Sequence, residues 1–270
     1  TLVREDDKVG DLQYLVGPVI YELDTPLLQD LGHVARVNCV EVECTEVPAS
    51  LPPPPPQQSQ PPATSHLQQR EFQRMLAIMN PDKVRVCAVI VACHIAQGDK
   101  CIIYCDNLAA LEQYKDMVRC PAVQGSTPHR ERETIIRNFR EARGGACILF
   151  SSVGDQSIDI PQANVAVQLS VLDGSRMQEL QRVGRVQRIS TGKRVAWFYS
   201  LVTLGSDEVA FATRRRSYLH SHGYRTETVP GSAFAHKEVD ALFESFGSAE
   251  SLQQAFWKYL YDKSEAMQTS

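Results

Sequence analysis

Residues 178–188 read QELQRVGRVQR, which sets Arg182, Arg185 and Arg188 three residues apart, beside Gln181 and around Gly184. On a helix Gln181, Arg185 and Arg188 fall at i, i+4 and i+7 and share a face, while Arg182 is turned about 100° from Gln181. That face offers two guanidiniums and an amide. Guanidinium is planar, permanently charged and binds phosphate oxygens in pairs. Gly184 removes a side chain where something could approach closely. A solvated basic helix face fits R-x-x-R-x-x-R alone at least as well. The fuller pattern Q-R-x-G-R-x-x-R, near the end of an α/β sheet, is much more specific.

The second stretch with chemical potential is SSVGDQSIDIPQANVAVQ, from Ser151 to Gln168. Ser151 and Ser152 close an apolar strand, Gly154-Asp155 makes a turn, and Asp159-Ile160-Pro161 fixes a carboxylate just before the next strand. A polar loop at a strand's carboxyl end can offer hydroxyls and N–H groups to a phosphate. A carboxylate there can accept from a ribose hydroxyl. The competing reading is an ordinary strand-turn-strand connection.

Both stretches need a scaffold, and the pattern from His66 onward supplies one. A helix is expected from about Gln68 to Met79, broken at Asn80-Pro81, and a second from about Lys83 to Ala96 with Gly98 just past its end. KCIIYCDN, GACILFSS, NVAVQLS and VAWFYSLV read as apolar strands, and NLAALEQYKDMV and HRERETIIRNFRE as helices, the latter burying Ile135, Ile136 and Phe139. Strands apolar on both faces, alternating with helices, indicate an α/β fold with a parallel sheet covered on both sides. Right-handed crossovers would then gather residues 105–107, 125–128, 151–161 and the arginine segment along one edge.

Before this core, GPVIYEL reads as a strand, Thr25-Pro26 as the start of a short helix ending near Gly32, and ARVNCVEVEC as a strand. After it, Ser206 can cap a helix through RRRSYLH that ends at Gly223. YRTETV is a last strand, and a weaker helix spans about 249–263. The run Arg214-Arg215-Arg216 reads first as a solvated face, with a nucleic-acid backbone contact as second choice.

Composition narrows the classes. The chain has 270 residues, a formal net charge of -4 and an ordinary apolar fraction. Wholesale disorder and general polyanion binding are disfavoured, though a local basic surface is not. None of the eight cysteines forms a C-x-x-C pair, so a zinc ribbon is improbable and buried reduced thiols are expected. No signal peptide or bilayer-spanning run is visible. Residues 49–65, with five consecutive prolines, read as an extended mobile insertion.

GDQSIDIPQANVAVQ followed by GSRMQELQRVGRVQR is similar to motifs V and VI of superfamily-two helicases. VREDDK at Val3–Lys8, the S-x-D-x-P form of motif V, GSRMQE, and FYSLVTLGSDEVAFATRRRSYLHSHGY together resemble the XPB-type helicase/translocases of the general transcription and repair factor TFIIH. The similarity runs from Thr1 to about Val229, apart from the proline insertion. It implies a RecA-like lobe of P-loop NTPase type that lacks the P-loop itself, since no G-x-x-x-x-G-K-[ST] and no D-E-x-H occurs. The TLVREDD start resembles the point just after motif III, so the chain is expected to begin between the ATP-binding lobe and its partner. The implied divisions are 1–45, an N-terminal segment with an R-E-D element joining the lobes; 46–66, the Pro/Gln-rich insertion; 67–229, the second RecA-like lobe with motifs IV, V and VI; and 230–270, a helical tail.

Carried over by position, Arg185 and Arg188 are the implied arginine fingers on ATP, with Gln181 close to the phosphates and Arg182 an intramolecular anchor. Gly154, Asp155 and Asp159 join Gln181 on the nucleotide side, Asp159 meeting the ribose or linking motifs V and VI. Backbone contacts to DNA fall to Asn107, to Gly125, Ser126 and Thr127, and to Ser151 and Ser152. Arg4, Glu5 and Asp6 match the R-E-D element implicated in duplex opening. The thumb-like element that relatives carry after the strand ending at Cys44 is replaced here by the polyproline run.

The implied activity is that of an ATP-dependent 3'-5' DNA helicase/translocase, opening or translocating duplex DNA in transcription initiation and nucleotide excision repair. Its cofactor is ATP with Mg2+, the metal and most ATP contacts lying on the first lobe. No metal ligand is expected within this chain, which alone is not expected to hydrolyse ATP. Implied partners are DNA, the first RecA-like lobe of the same polypeptide, and TFIIH-type subunits (p52-like) or a nuclease, with no membrane; the implied location is the nucleus. Two other readings stay open: a catalytically silent docking or regulatory module of a divergent paralogue, and an RNA helicase lobe. The intact Gln181, Arg185 and Arg188 lean against the first. The R-E-D element and the form of motif V lean against the second.

Overall fold

The computed structural model describes residues 25–46, 73–151, 163–170, 176–188 and 193–245, with isolated residues 14, 17, 20, 21, 70 and 71; for 176–179 and 242–245 it describes the backbone only. Seven strands are β1 (Arg36–Cys44), β2 (Lys100–Tyr104), β3 (Ala122–Val123), β4 (Ala146–Phe150), β5 (Val165–Gln168), β6 (Val195–Thr203) and β7 (Arg225–Pro230). They form one sheet in the order β3-β4-β2-β5-β6-β1-β7, and every described pairing is parallel. Among the described residues the helices with both ends described are α1 (Thr25–Asp30), α2 (Pro81–Ala96), α3 (Leu108–Val118), α4 (His129–Glu141), α5 (Arg176–Val186), α6 (Glu208–Ser221) and α7 (Lys237–Ser245), and residues 73–78, within the helix expected from about Gln68 to Met79, are helical too.

The period-2 pleat sorts the strand residues onto two cores. Cys101, Ile103, Leu149 and Val167 pack with Ile90, Leu111 and Tyr114 from α2 and α3 on one face. Ile102, Tyr104, Ile148, Phe150 and Ala166 pack with Phe139, Val183, Val186 and Leu219 from α4, α5 and α6 on the other. All five residues of β2 are buried, as a central strand covered on both faces requires. The expected α/β class and parallel sheet are therefore present. All eight cysteines are free, and burial pushes the thiols of Cys39, Cys44 and Cys105 up to about 12, so these act as small apolar side chains.

Local chemistry sets the helix ends. Asn80 caps α2 by accepting the Asp82 N–H at 2.9 Å, with Pro81 at the first helical position. That starts α2 two residues before the expected Lys83. Past the end of α6, Gly223 takes φ +77, and a Cβ there would meet Pro26 of α1 at 2.5 Å. No helix among the described residues is long and apolar enough to cross a membrane.

β1 is paired with β6 from Arg36↔Val195 to Cys44↔Thr203 and with β7 from Asn38↔Arg225. The residues before the proline insertion thus share a sheet with those after it. The end of β1 is tied to the start of α2: Thr45 N–H donates to Asp82 Oδ2 at 2.9 Å, and Asn80 Nδ2 donates to the Thr45 carbonyl at 2.5 Å.

One expectation needs adjustment, and two elements were not expected. Of the strand expected at 17–23, the described residues Gly17, Ile20 and Tyr21 are in no strand. The two-residue β3 has too little apolar sequence to announce itself. After β7 comes α7, which the sequence reading did not contain. Arg85 holds the segment before and within it, donating to the carbonyls of Gly231 and Phe234 and pairing with Asp240 at 3.2 Å. The helix expected at 249–263 and the insertion at 49–65 lie outside the described residues.

Candidate functional site

The sheet's carboxyl edge is organised around Asp106, which follows β2. Its N–H donates to Ser170 Oγ at 3.0 Å, and the Ser170 hydroxyl donates back to Asp106 Oδ2 at 3.0 Å. This joins the ends of β2 and β5. Arg182 of α5 donates to the other carboxylate oxygen at 2.8 Å and lies over the Tyr104 ring, 4.6 Å from its centroid. Arg182 is the intramolecular anchor expected of it.

Anchoring Arg182 inward orients the rest of α5. Arg182, Val183 and Val186 are buried, whereas Gln181 and Arg188 are exposed and Arg185 is half-buried. The helical period therefore turns Gln181 and Arg188 away from the sheet, with Arg185 at the margin of that face. A Cβ added at Gly184 would meet nothing within 4 Å. The donors on this face are two guanidiniums and an amide, a set that suits phosphate oxygens rather than a cation.

The arginine segment does not lie wholly along the carboxyl edge. Eleven helical residues span about 16 Å, roughly the length of the five-residue strands β2 and β4 from carboxyl to amino end. The Gln187 carbonyl accepts from Ala35 N–H at 2.8 Å, just before β1 begins. Arg182 thus sits at the carboxyl edge, and Arg188 comes down near the amino edge.

The expected nucleic-acid contacts are built as follows. Asn107 caps α3, its Oδ1 accepting from Ala110 N–H at 2.9 Å, so a phosphate contact would fall to its amide nitrogen. Gly125 and Ser126 are exposed at the turn between β3 and α4. Thr127 is committed to that turn: its hydroxyl accepts from Gln124 N–H at 3.0 Å and its N–H donates to the Gln124 carbonyl at 3.0 Å. Arg132 reaches back to the carbonyls of Gln124 and Thr127, and Gln124 also donates to Glu112 at 3.1 Å. Ser151, at the end of β4, is only 2% exposed. Arg4, Glu5, Asp6, Ser152, Gly154, Asp155 and Asp159 lie outside the described residues.

A family model described as the ERCC3/RAD25/XPB C-terminal helicase matches residues 28–268. The chain belongs to that family. Among the relatives of the XPB family, the TFIIH helicase/translocase subunit XPB/SSL2 of Saccharomyces cerevisiae is 38% identical over 253 residues, covering 87% of this chain and 28% of its own length. The XPB subunit of Danio rerio is 37% identical over 259 residues, covering 94% and 32%. The chain thus spans about a third of the length of these relatives. Solved structures carry the same fold at low identity. Mss116p bound to single-stranded RNA and AMP-PNP matches with a TM-score of 0.55 at 13% identity, over 90% of this chain and 42% of that one. T4 UvsW matches with a TM-score of 0.50 at 14% identity, over 73% and 42%.

Three positions in this XPB-family lobe escaped the sequence reading. Asp106 was part of a loop of interest but had no assigned role, and the available signal was a carboxylate directly after an apolar strand. Lys83 and Glu208 form a buried pair at 2.5 Å; Lys83 also donates to the Leu169 carbonyl, and Glu208 accepts from Thr203 N–H at 2.8 Å. They lock α2 and α6 to the ends of β5 and β6. The arginine run on α6 is not one solvated face. Arg215 is 3% exposed, Arg216 pairs with Glu41 at 3.4 Å, and Arg214 lies over Phe211. Consecutive helical residues point about 100° apart, so three in a row cannot share one face.

Proposed function

We propose that the chain is the second motor lobe of an ATP-dependent 3'-5' DNA helicase/translocase. It would act with a first RecA-like lobe of the same polypeptide, which supplies the P-loop, the Mg2+ ligands and most contacts to ATP. The observation that carries this is the outward face of α5. With Arg182 anchored on Asp106, Gln181 and Arg188 are exposed and Arg185 half-buried beside them, on the face turned from their own sheet. Arg185 and Arg188 would neutralise charge on the γ-phosphate, and Gln181 would hold the phosphates. Bound ATP supplies the phosphoryl group whose transfer to water drives the cycle.

DNA would run along the carboxyl edge, where Gly125, Ser126 and the Asn107 amide can contact phosphates without reading sequence. Ser151, Ser152 and the R-E-D element Arg4–Glu5–Asp6 complete that contact set, and Gly154, Asp155 and Asp159 the nucleotide side. The lobe's sheet begins at β1, with 46–66 as an insertion and the residues after β7 as the tail. The working context is transcription initiation and nucleotide excision repair in the nucleus, with a p52-like TFIIH subunit or a nuclease as partner.

The test is Arg188→Ala in the full-length protein. DNA-stimulated ATP hydrolysis should fall by about 10³-fold or more, the scale of arginine fingers in related NTPases. Unchanged turnover rejects the assignment.

A further inference from the structure

Three cysteines stand in line across the β3 end of the sheet. Cys101 on β2 is paired in register with Cys147 on β4. On the other side of β4, Ala122 pairs with Leu149, and counting two residues back along both strands sets Cys120 opposite Cys147. The bond from Leu149 N–H to the Pro121 carbonyl carries the ladder to that point. All three side chains pack on the same core. Adjacent strands lie about 4.8 Å apart, inside the Cα separation of about 4.4–6.8 Å that a disulfide bridges.

The three differ in access and in protonation. Cys101 and Cys120 are buried, while Cys147 is half-buried. Interaction with the Cys120 thiol holds Cys147 below the ordinary thiol value, against its partial burial. Burial, and then Cys147, push Cys120 well above it. The lower of the two values thus belongs to the sulfur that solvent reaches.

We infer that Cys147 is a hydroperoxide-reactive site and that Cys120 is its resolving partner. The Cys147 thiolate attacks one peroxide oxygen; an S–O bond forms, the O–O bond breaks, and hydroxide or alkoxide leaves. Cys120 then attacks the sulfenic sulfur. An S–S bond forms, the S–O bond breaks, and the Cys120 proton departs with the hydroxide as water. The two thiols are oxidised by two electrons and the peroxide is reduced by two. The bridge fastens the two-residue β3 to β4, the strands that lead into the Gly125–Thr127 turn and Ser151.

The experiment treats the full-length protein with stoichiometric hydrogen peroxide, blocks remaining thiols with N-ethylmaleimide, and maps tryptic peptides without reduction. Peptides 120–130 and 144–176 should appear joined, two hydrogens lighter than their sum. Cys147 should be modified about tenfold faster than Cys93, which is also half-buried but outside the row. In Cys120→Ser the joined peptide should vanish and dimedone should trap a sulfenic acid at Cys147; in Cys147→Ser both products should be lost. Equal rates at Cys147 and Cys93 overturn the proposal, as does a bridge from Cys147 to Cys101. The wild-type peptide map and rates decide the matter even where a serine variant fails to fold.

Discussion

Arg182 and Asp106 stand 76 positions apart in the chain and 2.8 Å apart in the fold, with side chains 2% and 4% exposed. The pair decides which way α5 faces. A helix held at one residue and buried through Val183 and Val186 has no freedom to rotate, so the orientation of Arg185 and Arg188 is set by a contact neither of them makes.

Replacing Asp106 by Asn removes the countercharge while keeping the shape. Arg182 is then left charged and buried without its Asp106 countercharge, which costs about 3–5 kcal/mol. Urea denaturation of the full chain should show that loss. Pairing Asp106→Asn with Arg182→Met should recover part of it, because no uncompensated charge stays buried. Additive losses in the double variant would mean that the two side chains do not act as a unit.

The same pair marks what the sequence could and could not reveal. The sheet was legible from apolar runs such as CIIY and VAWFYSLV, and the start of α2 from Asn80-Pro81. That Gln181, Arg185 and Arg188 share one face of α5 was legible from spacing alone. Asp106 was not, since its partner lies 76 residues on and no local pattern links them. Arg215 was misread for a related reason: three adjacent arginines look like one patch in sequence, while the helix sends the middle one inward beside Cys39 of β1. The position of Arg188 near the amino edge depends on helix length against strand length, a tertiary quantity. Lys83 was hidden in an apolar helix, where its Glu208 partner becomes adjacent only after folding.

Gly184 gives a test that separates folding from function. It is an interior residue of α5, half-exposed, with open space where a Cβ would go. Alanine should stabilise the helix by about 0.5–1 kcal/mol. Denaturation midpoints of Gly184→Ala should therefore rise slightly. If the α5 face closes on a nucleotide and a second lobe, the same methyl group should lower DNA-stimulated ATP hydrolysis. Higher stability with undiminished turnover would remove close approach as the reason for the glycine.

Asp99 predicts the acid limb of stability. It sits at the amino edge, taking hydrogen bonds from Asn164 at 2.8 Å and from Lys193, and sharing one of 2.6 Å with His94, which meets the Tyr199 hydroxyl at 3.0 Å. Burial alone would raise its carboxyl. The bonds from Lys193, His94 and Asn164 outweigh burial and hold it below 3.8. A depressed folded value means the folded state binds fewer protons than the unfolded one near that pH. The contribution is therefore fully present above the unfolded value of 3.8 and is lost as pH falls through the lower folded value. Asp99→Asn removes the titration. Urea denaturation from about pH 5 to about pH 2 should give the wild type the steeper decline, with the variant less stable at neutral pH because Lys193 and His94 lose their carboxylate. Parallel declines would show that the carboxyl is not held down in the folded state.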